Sequence, residues 1–243
     1  MTVHNHGGRP YGWVGALSER RAQLSPDRVG LVDADTGDEY TYEELDERAN
    51  RTARLLREHG VEKGDRIAVV SRNRPELVDL YFATAKVGAI LAPLSHRLAP
   101  REITEMLNDV EPAMLFVEKP FEADVDTALR RFDREFAVPP VIGLPSEEQG
   151  DFREHGAPEG REWERLPDIL PNEDDPVERA DLALSDPHLF LHTGGSTGLP
   201  KEVVQTHGGI MWNAFNTIIS WGLQPHDVTP MVFPMFHTGG WNV

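Results

Sequence analysis

From residue 41 onward the chain alternates between two hydrophobic periods. Thr41 and Glu44 bracket a capping box in which each side chain satisfies a free backbone N–H of the other, and Leu45, Ala49, Ala53 and Leu56 then recur at helical spacing until Gly60. A short apolar run, Ile67 to Val70, reads as a strand. Pro75 suits the first turn of a second helix with Leu77, Leu80, Tyr81 and Ala85 on one face and Gly88 at its end, and Ile90 to Leu94 make the next strand. Pro100 to Val110 and Met114 to Val117 repeat the cycle. Strand–helix–strand units of this length predict an α/β fold, with a mostly parallel sheet flanked on both faces by helices.

Beyond residue 118 the periods weaken. Phe121 to Phe136 reads as an amphipathic helix and Val141 to Leu144 as a strand, while 146–160 and 171–179 are acidic and rich in helix breakers, which makes them surface loops. Leu189 to Leu191 is apolar enough to be a buried strand end. Val203 and Val204 suggest another short strand. Ile210, Ala214, Phe215, Ile218 and Ile219 place an apolar face on a helix that stops by Gly222, and Met231 to Phe233 reads as a last strand.

The chemistry concentrates between Phe190 and Lys201, which read FLHTGGSTGLPK. Gly194, Gly195 and Gly198 free the backbone to take positive φ and to turn N–H groups toward an anion; Thr193, Ser196 and Thr197 add short donors and Lys201 a cation. That is a phosphate cradle. It is not a Walker A loop, because Lys201 lies between Pro200 and Glu202 rather than between a glycine and a hydroxyl residue. Nor is it a dinucleotide fingerprint, because the glycines run G-G-x-x-G and are followed by Pro200.

The segment resembles the signature of the adenylate-forming superfamily (acyl-CoA synthetases, adenylation domains, luciferases), usually written YTSGTTGxPKG, and is closest to its fatty-acyl-CoA ligase form. YTYEELDERAN from Tyr40, GDRIAV from Gly64, AKVGAILAP from Ala85 and FPMFH from Phe233 each resemble the superfamily segment expected at that place and in that order. The resemblance runs from about Tyr11 to Val243. His192 stands where tyrosine is usual, and Glu202 where the glycine after the lysine is usual.

The resemblance implies ATP-dependent attack of a carboxylic acid, a fatty acid first, to give an acyl-adenylate, and then displacement of AMP by coenzyme A. It implies Mg2+ at Thr193, phosphate contacts from Gly194, Gly195, Ser196, Thr197, Gly198 and Lys201, and catalytic roles for Lys201 in stabilising charge and for His237 beside the acyl carboxylate and thiol path. It further implies a domain map in which 1–10 are a flexible terminus and 11–243 the amino-terminal part of the large domain, without the carboxyl-terminal lid and without the later Y-G-x-T-E glutamate, the ribose aspartate and the adenylation lysine. On that map the chain by itself is inactive and exposes apolar surface around Phe233, Phe236 and Trp241. The possible protein partners are then a second copy of the chain and a separately encoded carboxyl-terminal half. An adenylation unit loading an amino or aryl acid onto a carrier-protein thiol, and a non-catalytic nucleotide-binding or structural fragment, remain open.

Composition narrows these choices. Lys and Arg total 24 against 41 Asp and Glu, a formal net charge of -17, which argues against nucleic acid as a partner. Lysine occurs only at 63, 86, 119 and 201, an acidic, lysine-poor balance like that of proteins from salt-loving microbes. With no cysteine, the chain can form neither disulfide nor thiolate metal site, and any thioester must use a thiol supplied from outside. There is no leader-like terminus and no apolar run of membrane-spanning length, so a cytoplasmic protein is expected. His4 and His6 form an H-x-H pair without a third ligand nearby. Arg72 and Arg74 follow a strand and can meet an anion, although exposed arginines commonly only solvate. On the same resemblance Trp241 and Asn242 border the acyl pocket, with a plain core role the open alternative, and His192 is expected to pack at its position before the loop.

Overall fold

A computed structural model describes residues 13–132, 138–145, 163–192 and 201–241. The expected terminus at 1–10, the loop at 146–160, the glycine-rich residues 193–200 and Asn242 lie outside the described residues.

The described residues open with α1 (Gly15–Leu24) and an antiparallel pair, β1 (Val29–Val32) and β2 (Glu39–Thr41). The capping box forms as its sequence dictates. Glu44 N–H donates to the Thr41 hydroxyl at 3.2 Å and Thr41 N–H to the Glu44 carboxylate at 2.7 Å, starting α2 (Tyr42–Glu58). Then follow β3 (Arg66–Val70), α3 (Pro75–Val87), β4 (Ile90–Leu94), α4 (Pro100–Val110) and β5 (Met114–Glu118). Pro75 begins α3 and Gly88 ends it in the left-handed region, at φ 83°. A side chain at Gly88 would also meet Ala180, whose backbone N–H donates to Lys86 O at 3.0 Å as the chain passes.

The remainder comprises α5 (Glu122–Leu129), β6 (Val141–Leu144), β7 (Glu164–Arg165), α6 (Leu166–Ile169), β8 (Pro187–His192), β9 (Glu202–Thr206) and α7 (His207–Trp221). The described helix after β5 is shorter than the amphipathic pattern from Phe121 suggested. Among the described residues the larger sheet has seven strands in the order β7-β6-β5-β3-β4-β8-β9, parallel except for the antiparallel β8–β9 pair.

Alternate side chains of the central strands feed two cores, as the period of a pleated strand requires. Ile67, Val69, Leu91, Met114 and Phe116 pack with α2 and α3; Ala68, Val70, Ala92, Leu115 and Val117 pack with α4 and α5. A buried ion pair ties the helices of the first core: Lys86 Nζ lies 2.7 Å from the Asp46 carboxylate, which also accepts from Ser18 Oγ at 2.6 Å. Burial depresses the Lys86 pKa and Asp46 acts against that shift.

One expectation fails here and another holds only in part. Met231 to Phe233 is irregular backbone rather than a strand, because no neighbouring strand edge takes its N–H and C=O groups among the described residues. The exposed apolar surface includes Phe233, as foreseen, but not Phe236 or Trp241. Phe236 and Trp241 are half-buried, with Trp241 stacked on Tyr81 at 4.6 Å between ring centroids, whereas exposure falls on Phe233, Val232, Val228 and the outer face of α7.

Candidate functional site

The parallel strands define one end of the sheet where side chains and ligands meet. The chain steps from β3 to β4 on one side and then returns to β5 on the other, so the crevice at the carboxyl ends of β3 and β5 is the topological switch point. Protein fills it. Glu118 at the end of β5 accepts from the Arg72 backbone N–H at 2.9 Å and from Arg72 Nε at 2.9 Å, and Ser71 Oγ adds a bond at 3.2 Å. Burial pushes the Glu118 pKa up, but the hydrogen bonds and charge of Arg72 outweigh it and hold it below the usual value. Arg74 pairs with Glu76 at 2.7 Å and donates to Pro145 O at 2.6 Å. Both arginines thus pair with protein carboxylates rather than only solvating.

Asn73 anchors the FPMFH segment to this end of the sheet. Its amide nitrogen donates to Phe233 O at 2.8 Å and its amide oxygen accepts from Met235 N–H at 2.8 Å, a two-point hold on the backbone of the segment. Trp241 Nε1 donates to Met235 O, and the His96 ring meets Phe236 edge-on at 5.3 Å. His237 is exposed and caps the following turn, accepting from Gly239 N–H at 3.3 Å. A buried core histidine is therefore not what position 237 holds. Among the described residues, the fully buried histidines are His188 and His207, whose rings stack at 4.8 Å.

β8 runs parallel to β4, which brings His192 to the carboxyl-terminal end of the sheet. His192 pairs with Glu202 across the antiparallel ladder, so the residues at either end of the glycine-rich segment stand side by side. Lys201 is exposed immediately before β9. Thr193, Gly194, Gly195, Ser196, Thr197 and Gly198 lie outside the described residues; Lys201 and His237 lie on separate segments.

Comparison with known proteins places the chain. The model of the AMP-binding enzyme family matches residues 18–243, and the chain belongs to that family. It is 30% identical over 224 residues to a feruloyl-CoA synthase from Amycolatopsis, covering 92% of this chain and 39% of that protein. It is 30% identical to an indoleacetate–CoA ligase from Aromatoleum aromaticum, with 92% and 41% covered. The solved structure of a putative long-chain-fatty-acid CoA ligase from Rhodopseudomonas palustris superposes with a TM-score of 0.77 at 26% identity, covering 93% of this chain and 53% of that one. The chain spans about two fifths of the length of these curated relatives. No helix among the described residues is long and apolar enough to cross a membrane.

Proposed function

We propose that the chain supplies the phosphate-holding part of an ATP-dependent acid–CoA ligase. In this reading the backbone N–H groups of Gly194, Gly195 and Gly198, with Ser196, Thr197 and Lys201, hold the departing pyrophosphate as charge builds on it, which is positioning and electrostatic stabilisation rather than covalent catalysis. Thr193 would hold Mg2+, whose positive charge neutralises the phosphates. His237 faces the acyl carboxylate and the path of the thiol. The same reading places the enzyme in the cytoplasm, where ATP and coenzyme A are at hand.

The observation that carries the proposal is the His192–Glu202 pairing: in a member of the AMP-binding family it draws the two ends of the glycine-rich segment together at the ligand-binding end of the parallel strands. Exposure of Lys201 and His237 fits groups that meet a substrate. For the acid, two of the relatives named above act on feruloyl and indoleacetate groups, which favours an aromatic acid over the fatty acid expected from sequence.

ATP–pyrophosphate exchange with matched panels of aromatic and fatty acids, in low and in molar potassium chloride, tests this reading. A protein of the relatives' full length that carries this chain is expected to exchange fastest with an aromatic acid. The 243-residue chain alone is expected to show no exchange. In the longer protein His237→Ala lowers adenylate or thioester formation while the melting temperature stays within a few degrees. Full activity in that variant would remove His237 from the site.

A further inference from the structure

Two positions where the chain departs from the superfamily signature, one at each end of the segment, meet in space. His192, in place of tyrosine, and Glu202, in place of glycine, are cross-strand partners, and Asp109 in the last turn of α4 closes a third side. One donor atom from each of the three lies within 4.8 Å of the others. Both ring nitrogens of His192 are shielded from solvent and lack a hydrogen-bond partner, a costly state for an imidazole that can donate from one nitrogen and accept at the other. Burial and the neighbouring Asp109 raise the Glu202 pKa, and burial lowers that of His192. Arg66 is the nearby cation that opposes the rise at Glu202, but its guanidinium donates to Val110 O and Glu111 O at 2.8 Å each. Two carboxylates and an unpartnered imidazole thus converge.

We propose that Asp109, His192 and Glu202 bind a divalent transition metal of the Zn2+ type, which clamps the end of β8 to the start of β9 and so fixes both ends of the segment 193–201. One imidazole nitrogen and two carboxylate oxygens suit Zn2+, Co2+ or Ni2+, whereas Mg2+ prefers an all-oxygen set and keeps its waters. Two carboxylates neutralise the ion, and three protein ligands leave a fourth position to water. Zn2+ bonds of about 2.0–2.2 Å place tetrahedral ligands roughly 3.4 Å apart, so the side chains close by about an ångström on binding. Asp109, exposed on the last turn of α4, has the room to make that change by a rotamer. The role is structural, and it stands whether or not the ligase reading does.

Zn2+ titration of the 243-residue chain tests the site, with His4→Ala and His6→Ala introduced first to remove the other histidine pair. Calorimetry should find one Zn2+ per chain, Zn2+ should raise the melting temperature, and Co2+ should give a visible absorption band of low coordination number. His192→Tyr and Glu202→Gly restore the usual signature residues and should each weaken Zn2+ by about tenfold or more. Asp109→Asn, on an exposed position, should do the same with the circular dichroism spectrum unchanged. Absence of Zn2+ binding in the parent overturns the proposal. So does an affinity that survives all three substitutions.

Discussion

β3, β4 and β5 are buried at nearly every position, whereas β9 leaves Val203 36% and Val204 50% exposed, and α7 shows Trp212, Phe215, Ile218, Ile219 and Trp221 to solvent. The side chains of the two regions are similarly apolar; what differs is what surrounds them. The central strands have helices on both faces and a neighbour on each edge, so each inward side chain loses its water on folding. α7 buries its first turn, through His207, Gly208, Ile210 and Met211, and among the described residues its outer face is uncovered. An apolar face in the sequence therefore announces that a surface prefers to be covered, not that it is covered.

The largest expected effect lies in the closed region. Lys86 is 2% exposed, and Lys86→Ala strands the Asp46 carboxylate in the core. The loss should be about 3–5 kcal/mol of unfolding free energy. On the open face Ile219 is 79% exposed, and Ile219→Ser should stay within about 0.5 kcal/mol. Urea denaturation of both variants checks the contrast, and similar losses in the two would erase it.

A smaller effect sharpens the boundary between the regions, at the buried first turn of α7. His207 accepts from Val14 N–H at 3.4 Å, and burial brings its pKa from 6.5 down to about 4. The unfolded chain therefore takes up this proton first as the pH falls. Stability from neutral His207 is full above the unfolded value, declines between the unfolded and folded values, and levels off below about 4. The span is at most about 3 kcal/mol. Asp79, pushed up to about 6 by burial, works in the opposite sense, so the quantity to measure is the difference between the parent and His207→Gln across that range. The expected result is a gap that changes with pH in favour of the parent as pH rises. Parallel curves would show that His207 is not held neutral by the fold.

How legible each region was follows the same division. The Thr41 capping box, Pro75 and Gly88 at the ends of α3, and the apolar runs of β3 to β5 all reappear, because each is set by local backbone chemistry or by burial on two faces. The exposed β1–β2 pair and α1 carried no comparable period and were not foreseen; α1 has no side-chain cap, and β1 is largely exposed. Met231 to Phe233 misled because an apolar run does not supply the neighbouring strand that would make it one. The phosphate-cradle reading rests on residue types alone, since residues 193–200 lie outside the described residues. The Asp109–His192–Glu202 cluster could not be read that way, since α4 lies far from β8 and β9 in sequence; its one trace was the pair of departures at His192 and Glu202.

The measurement that bears most directly on the central claim is a titration of the 15N-labelled chain with MgATP, followed by amide NMR. The account predicts weak, millimolar binding whose shifts centre on His192, Lys201 and the residues between them. Gly195→Val should abolish those shifts, because a β-branched side chain resists positive φ and fills the space a phosphate needs. Shifts of equal size in the Gly195→Val chain, or none around Lys201 at saturating MgATP, would contradict it.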